Sequence, residues 1–305
     1  MSKRRAVGRE LNGILLLDKP LGVTSNHILQ QVKRLYFARK AGHTGSLDPL
    51  ATGMLPICFG EATKFSQFLL DADKRYQVTG QLGIKTTTAD KEGEIIKQVD
   101  ASFVDLAELE KVLPQFRGPI MQVPSMFSAL KHQGQPLYKL AREGIEIERP
   151  ARPVTIKKLA LLNFDSEQKT FSLDVECTKG TYIRNLVEDI GEALNCGAHV
   201  IELRRLTVSN FLESQMVTLD TLVQLKERDA FPEMDLLLLP AESFAQCLPQ
   251  ITINEAAVFQ LRHGTALTVT EADGLVGINI APNRFVGIGE VKAGQLVAKR
   301  LTQDK

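Results

Sequence analysis

The sequence predicts an α+β fold with a small all-β unit at its C-terminal end. Three observations carry this. Tyr76, Val78, Gly80, Leu82 and Ile84 alternate with polar residues, as do Phe171, Leu173, Val175 and Cys177, which is the period of a half-buried strand. Ile28, Val32 and Leu35, and again Ile183, Leu186, Val187, Ile190 and Leu194, recur with helical period. From about residue 251, apolar residues sit in short runs broken by Gly and Pro, the texture of a small β unit of about 55 residues.

Taken in order, residues 1–10 read as a disordered basic tail. Gly13–Leu17 is a short apolar run ending at Lys19-Pro20, a strand entering a loop. Thr24 or Ser25 caps the first helix. Residues 41–60, rich in Gly and Pro, read as a shaped loop. Asp105 and Glu108 form a capping-box pattern ahead of Leu109, Val112, Leu113 and Phe116. Residues 119–136 are loop-like, and a short helix follows with Pro136 in its first turn and Gly144 past its end. The second strand stops at Lys179-Gly180, the long helix starts at once, and Gly197 ends it. A linker near 238–250, with Pro240 and Pro249, separates the β unit, which is too small to stand without packing on the main body. The domains expected are therefore a main body over 11–245 and a β unit over 251–305.

Composition narrows the function classes. The longest apolar runs are far too short to cross a bilayer, and no apolar signal core follows the basic N-terminus, so a cytoplasmic protein without membrane contact is expected. Cys58, Cys177, Cys196 and Cys247 lie far apart with no CxxC pair, which fits reduced core thiols better than zinc or disulfides. The net charge of +1 hides an uneven distribution. Residues 1–40 carry nine Lys/Arg against Glu10 and Asp18, and residues 131–158 carry seven against three Glu, whereas residues 215–250 are acidic. Such a chain can present a basic face to a polyanion.

The chemistry concentrates in Gly42-His43-Thr44-Gly45-Ser46-Leu47-Asp48-Pro49-Leu50-Ala51-Thr52-Gly53, preceded by Arg39-Lys40. Its glycines and proline specify a tight backbone path. It holds one carboxylate, Asp48. Alone, an aspartate in such a loop reads first as a turn residue that bonds nearby N–H groups. Asp71, Asp73, Asp90 and Glu92 do not meet the calcium-loop pattern and read as turn residues. His199 and Glu202 lack further metal ligands at useful spacing.

The loop resembles the signature of the bacterial tRNA pseudouridine-55 synthases, the T-arm or B family. Further segments resemble that family's motifs in order: Gly13–Ser25, Lys74-Arg75-Tyr76, Pro124-Ser125 with Ser128–Lys131 through Gly144, Lys179–Arg184, and Gly197–Val200 through Leu203-Arg204-Arg205. The resemblance spans about residues 12–220. It implies a pseudouridine-synthase fold with a mixed, largely antiparallel central sheet, an RNA-gripping insertion near 120–150, and a PUA-like C-terminal β-barrel. It implies isomerisation of a T-arm uridine of tRNA by base flipping, with no cofactor and no metal, by a monomer needing no protein partner. The absence of a full P-loop, and of a third glycine after Gly287-Ile288-Gly289, agrees.

By the same resemblance Asp48 is the essential carboxylate, and Arg184 is the partner that keeps it ionised. Tyr76 stacks on the uracil, Tyr182 and Leu203 line the pocket, and His43 enters the T loop. Lys19, Lys64, Lys131 and Arg142 are expected at RNA phosphates, or for Lys19 and Lys64 in loop support. Read as residues alone, Tyr76 is a core aromatic, Arg184 a surface arginine opposing the helix dipole, and His43 a turn residue. A non-catalytic RNA binder, a carboxylate glycosidase, and a relative acting on another RNA or guided by partner proteins stand as rivals. A glycosidase usually needs a second carboxylate, and the Asp48 loop offers none.

Overall fold

The computed structural model describes residues 8–128, 130–282 and 284–303; most of the expected basic tail lies outside them. Chain order runs β1 (Gly13–Lys19), α1 (Ser25–Leu35), β2 (Ala41–His43), β3 (Ala51–Phe59), α2 (Ser66–Asp71), β4 (Lys74–Leu82), β5 (Ile84–Thr86), β6 (Ile95–Gln98), α3 (Leu106–Val112), β7 (Gly118–Gln122), β8 (Lys131–His132), β9 (Gln135–Pro136) and α4 (Leu137–Arg142). It continues β10 (Arg152–Asp165), β11 (Thr170–Cys177), α5 (Ile183–Ala193), β12 (Ala198–Val208), β13 (Val217–Thr218), α6 (Leu219–Glu227), α7 (Phe231–Leu236), β14 (Gln250–Ile253), α8 (Glu255–Arg262), β15 (Leu267–Thr268), β16 (Gly274–Ile280), β17 (Arg284–Lys292) and β18 (Gln295–Leu301). No helix among the described residues is long and apolar enough to cross a membrane.

The main sheet runs β13-β1-β3-β12-β4-β11-β10-β7, with β2 also on β3. Only β1·β13 and β3·β12 are parallel, so the sheet is mixed and largely antiparallel, as expected. β1 is apolar from Gly13 to Leu17 because both its faces are covered there. Leu15 and Leu17 pack with Ile28 and Val32 of α1, whereas Ile14 and Leu16 pack with Phe65 and Phe244 on the other side. A third cluster joins β4, β11 and β12 to α3 and α5 through Val78, Leu173, Val200, Leu109 and Leu186.

Helix starts follow the expected chemistry. The Thr24 hydroxyl accepts from His27 N, and the Asp105 carboxylate accepts from Glu108 N. Four expectations for residues before the C-terminal unit need correction. Residues 41–60 are not a single loop, because β2 and β3 occupy both ends and only about 44–50 is irregular. Residues 119–136 begin as strand β7, which completes the sheet against β10. Gly8–Glu10 is not a free tail, because Arg9 N donates to Phe37 O and Arg39 N donates to Arg9 O. The segment 238–250 is no open linker: Leu239 pairs with Ile14, and Phe244 and Ala245 are buried.

The C-terminal unit is a curled five-stranded sheet, β14-β16-β17-β18-β15, and it is not all-β, since α8 covers its core at Val258 and Leu261. Phe285 reaches across to Phe65 and Phe244, at ring-centroid distances of 5.7 and 6.4 Å. The four cysteines are free; Cys58, Cys177 and Cys196 are buried, but Cys247 is exposed.

Gly53 shows why a buried strand beside the site carries a glycine. Its φ is +96°, and a Cβ there would overlap the carbonyl oxygen of Arg205 in the paired strand. Gly53→Ala should therefore lower stability by about 2–4 kcal/mol. Urea unfolding checks this; a midpoint equal to wild type would show that β3 and β12 separate freely.

Candidate active site

Residues 44–50 are pinned from beneath by the turn between β1 and α1. The Ser25 hydroxyl accepts from Leu47 N (2.7 Å) and donates to Leu47 O (3.0 Å). Gly22 N donates to Pro49 O, and Lys19 Nζ donates to Pro20 O (2.8 Å) and Pro49 O (3.5 Å). Gly45 turns at φ +86°. Asp48 is thereby held with its carboxylate half open to solvent.

Arg184 enters from the first turn of α5, and its side chain is only 6% exposed. Its guanidinium uses every edge. Nε donates to Asp48 Oδ2 (3.0 Å) and Nη2 reaches Asp48 Oδ1 (3.5 Å) and Phe127 O (2.7 Å). Nη1 donates to Thr88 O (2.9 Å) and Asp90 Oδ2 (3.2 Å). Three loops thus meet on one cation. Burial pushes the Asp48 carboxyl above the usual aspartate range. Arg184 and Lys19 pull it back, and the negative charge of Asp90 adds to the rise. Lys19 itself is buried and is lowered to about 8 by desolvation.

Tyr76 of β4 lies opposite Arg205 of β12, and Leu203 lies opposite both Val78 and Ala51. Tyr76, Leu203, Leu47, Leu50 and Ile183 belong to one buried apolar cluster, and Leu47 and Leu50 flank Asp48 in its loop. Burial holds the Tyr76 phenol in its protonated form, with the Arg205 guanidinium at its hydroxyl. Tyr182 caps α5, its N–H donating to Gln122 Oε1 and its carbonyl accepting from Gln122 Nε2.

A carboxylate with this arginine and this aromatic wall is what the sequence motifs point to, and sequence comparison agrees along the whole chain. Residues 33–183 match the TruB family pseudouridylate synthase N-terminal domain, residues 184–246 the tRNA pseudouridylate synthase B C-terminal domain, and residues 249–302 the pseudouridine synthase II TruB C-terminal domain. Curated relatives include tRNA pseudouridine synthase B of Aeromonas salmonicida, 51% identical over 99% of this chain and 97% of the relative. That of Coxiella burnetii is 52% identical over 96% and 94%. The chain belongs to the TruB family of pseudouridylate synthases. Among solved structures, a chain of a Cbf5-Nop10-Gar1 complex superposes with a TM-score of 0.73 at 27% identity, covering 95% of this chain and 84% of that one.

In this TruB-family chain the expected residues divide into two groups. Asp48 and Arg184 are in direct contact, Tyr76 and Leu203 lie on the neighbouring strands β4 and β12, and Tyr182 immediately precedes α5. His43 ends β2 just before the Asp48 loop, its Nδ1 buried without a partner, and burial with Arg205 lowers its basicity, keeping the ring neutral. Lys19 belongs beneath the loop, where its ammonium is committed to two carbonyls and cannot reach an RNA phosphate. Lys64 is paired with Glu61 at 2.7 Å, a support within its own turn. Lys131 is exposed on the β8–β9 hairpin, and the exposed Arg142 packs its guanidinium over the Tyr138 ring at 5.7 Å.

Two residues escaped the sequence reading. Asp90, expected to be a turn residue, is buried, and its Oδ1 accepts from the Thr88 hydroxyl (2.6 Å) and Glu92 N (3.0 Å) while Oδ2 faces Arg184. It does close a turn, but it also balances the Arg184 charge. Arg205 is 2% exposed and donates to Met54 O (2.7 Å) and Gly45 O (3.2 Å), which locks the Asp48 loop to β3. Its signal was present: a charged residue in strand phase with the apolar Leu203.

Proposed function

We propose that this chain converts the uridine at position 55 in the T arm of tRNA to pseudouridine, acting as a monomer in the cytoplasm. The observation that carries the reading is the Asp48–Arg184–Asp90 network opening beside the Tyr76–Leu203 wall in a chain of this family. The reaction breaks the C1′–N1 bond, turns the uracil, forms C5–C1′, and releases the C5 proton. The base must leave the RNA stack to meet Asp48, and His43, just before the Asp48 loop, is the side chain assigned to fill the vacated space.

Asp48 acts as an anion in each route open to it: attack on the base, attack on ribose C1′, or removal of a ribose proton to give a glycal. A raised carboxyl is a stronger base and nucleophile once ionised, and Arg184 holds it ionised and aimed. Tyr76 presents a ring for stacking and Leu203 an apolar wall that excludes water. Arg142 and Lys131, exposed on the segment between β7 and β10, fit the gripping of an RNA stem by shape and backbone. The curled C-terminal sheet fits a second RNA-binding unit.

Asp90 brings a second carboxylate close to the first, the feature a glycosidase would need. Its oxygens are already bonded to Thr88, Glu92 and Arg184, so they are occupied and turned away from a substrate at Asp48. The deciding experiment is release of tritium from C5-labelled uridine in undermodified tRNA, with the modified position mapped. Release with pseudouridine at one T-arm position is expected. Free uracil among the products would establish the hydrolase instead.

A further inference from the structure

The Arg39-Lys40 pair has no part in the site just described, yet it lines a cavity of about 390 Å³ with Arg9, Asn12, Glu61 and Gln303. The walls are rigid. Gly60, at φ +53°, wedges against Leu11 O and the Asn12 side chain, where a Cβ would not fit. Gly60 N donates to Lys40 O, and Glu61 N donates to Asn12 Oδ1.

The charges lining this cavity are not equally committed. Arg9 is taken by Asp235 and lies over the Phe231 ring at 4.6 Å. Glu61 is paired with Lys64 at 2.7 Å and accepts a hydrogen bond from Gln303 N at 3.0 Å. Among the described residues the Arg39 side chain pairs with Glu10 alone, and with side chains 44% and 77% exposed the pair is weakly held. Lys40 is exposed, and its charge acts on Glu61 from a distance, with no ion-pair contact of its own among the described residues. The cavity thus keeps two exposed cations, Arg39 and Lys40, one anion held by Lys64, Glu61, and one anion that can swing away, Glu10. Lys40 immediately precedes β2, whose far end is His43; three residues of strand place it roughly 10 Å from His43. An RNA strand engaged at His43 has its flanking phosphates within this range.

We propose that this cavity seats a backbone phosphate of the substrate RNA, on the strand flanking the extruded nucleotide, with Arg39 and Lys40 as ligands and Glu10 as the group displaced. The inference rests on the functional reading above and adds a contact outside the catalytic opening. A phosphate neutralised here releases condensed counterions, so its signature is salt dependence.

The test measures tRNA affinity against salt for the full-length wild type, Arg39→Gln/Lys40→Gln and Glu10→Gln, with thermal unfolding as a check on folding. The double variant should bind roughly tenfold more weakly at physiological salt, with a log–log salt slope shallower by about 1 to 2. Glu10→Gln should bind a few-fold more tightly, because the phosphate no longer competes with a carboxylate, an effect that a merely structural Arg39–Glu10 pair would not produce. A double variant with the wild-type slope, or a Glu10→Gln protein that binds more weakly, overturns the site. If the wild type itself neither binds nor converts tRNA, the functional reading fails; if it converts tRNA while the slopes stay equal, only the phosphate site fails.

Discussion

Asp48→Asn is expected to abolish tritium release from C5-labelled tRNA, by about 10⁴-fold or more, while the protein melts at or above the wild-type temperature. The two halves come from the same environment. Folding raises the Asp48 carboxyl above its usual range, through burial first and through Asp90 in addition. A carboxyl whose folded value lies above its unfolded one stabilises the fold only when protonated. That contribution is present below the ordinary aspartate range and disappears as pH rises through the folded value. At neutral pH the ionised group is therefore a cost that the asparagine removes. The amide oxygen can still accept from Arg184, which keeps Asp90 as its counter-charge. A melting temperature well below wild type would mean that Asp48 holds the fold together and is not strained for chemistry. The same shift sets the wild-type pH profile: activity should fall on acidification at a pH above that of an ordinary aspartate, measured as single-turnover rate against pH.

Much of this was legible in the residues, and what was not has identifiable causes. β4 and α5 were readable because each buries one face, so Tyr76–Leu82 and Ile183–Leu194 display their period plainly. β3 was hidden by Gly53 and Pro56, which mark turns in most contexts. Here Gly53 is required by the Arg205 backbone, and Pro56 sits opposite Leu16 in a strand buried on both faces. β10 carries two register irregularities against β11 and shows no clean alternation. In the site, Asp48 was found through its own glycine-bounded loop. Asp90 lies 42 positions further on, and its local sequence looks like a turn because it is one. Its second task exists only after β4 and β5 bring that turn against α5, a relation no local pattern records.

Arg184 is where the network is most exposed to a single change. Arg184→Met keeps the length and apolar stem but leaves Asp90, whose side chain is 3% exposed, without its cation. Stranding a buried charge costs about 3–5 kcal/mol, and the loss of orientation at Asp48 should slow turnover by about 10²–10³-fold. Arg184→Lys should recover little, since one ammonium cannot span Asp48, Asp90, Thr88 O and Phe127 O together. The informative step is adding Asp90→Asn to Arg184→Met. With no buried charge left unpaired, the double variant should regain most of the lost stability, while turnover stays low because nothing aims or holds the Asp48 anion. Urea unfolding and single-turnover rates of the four proteins form a double-mutant cycle in which stability couples strongly and activity does not. Recovery of activity along with stability would reduce Arg184 to a structural prop, with Asp48 working unaided.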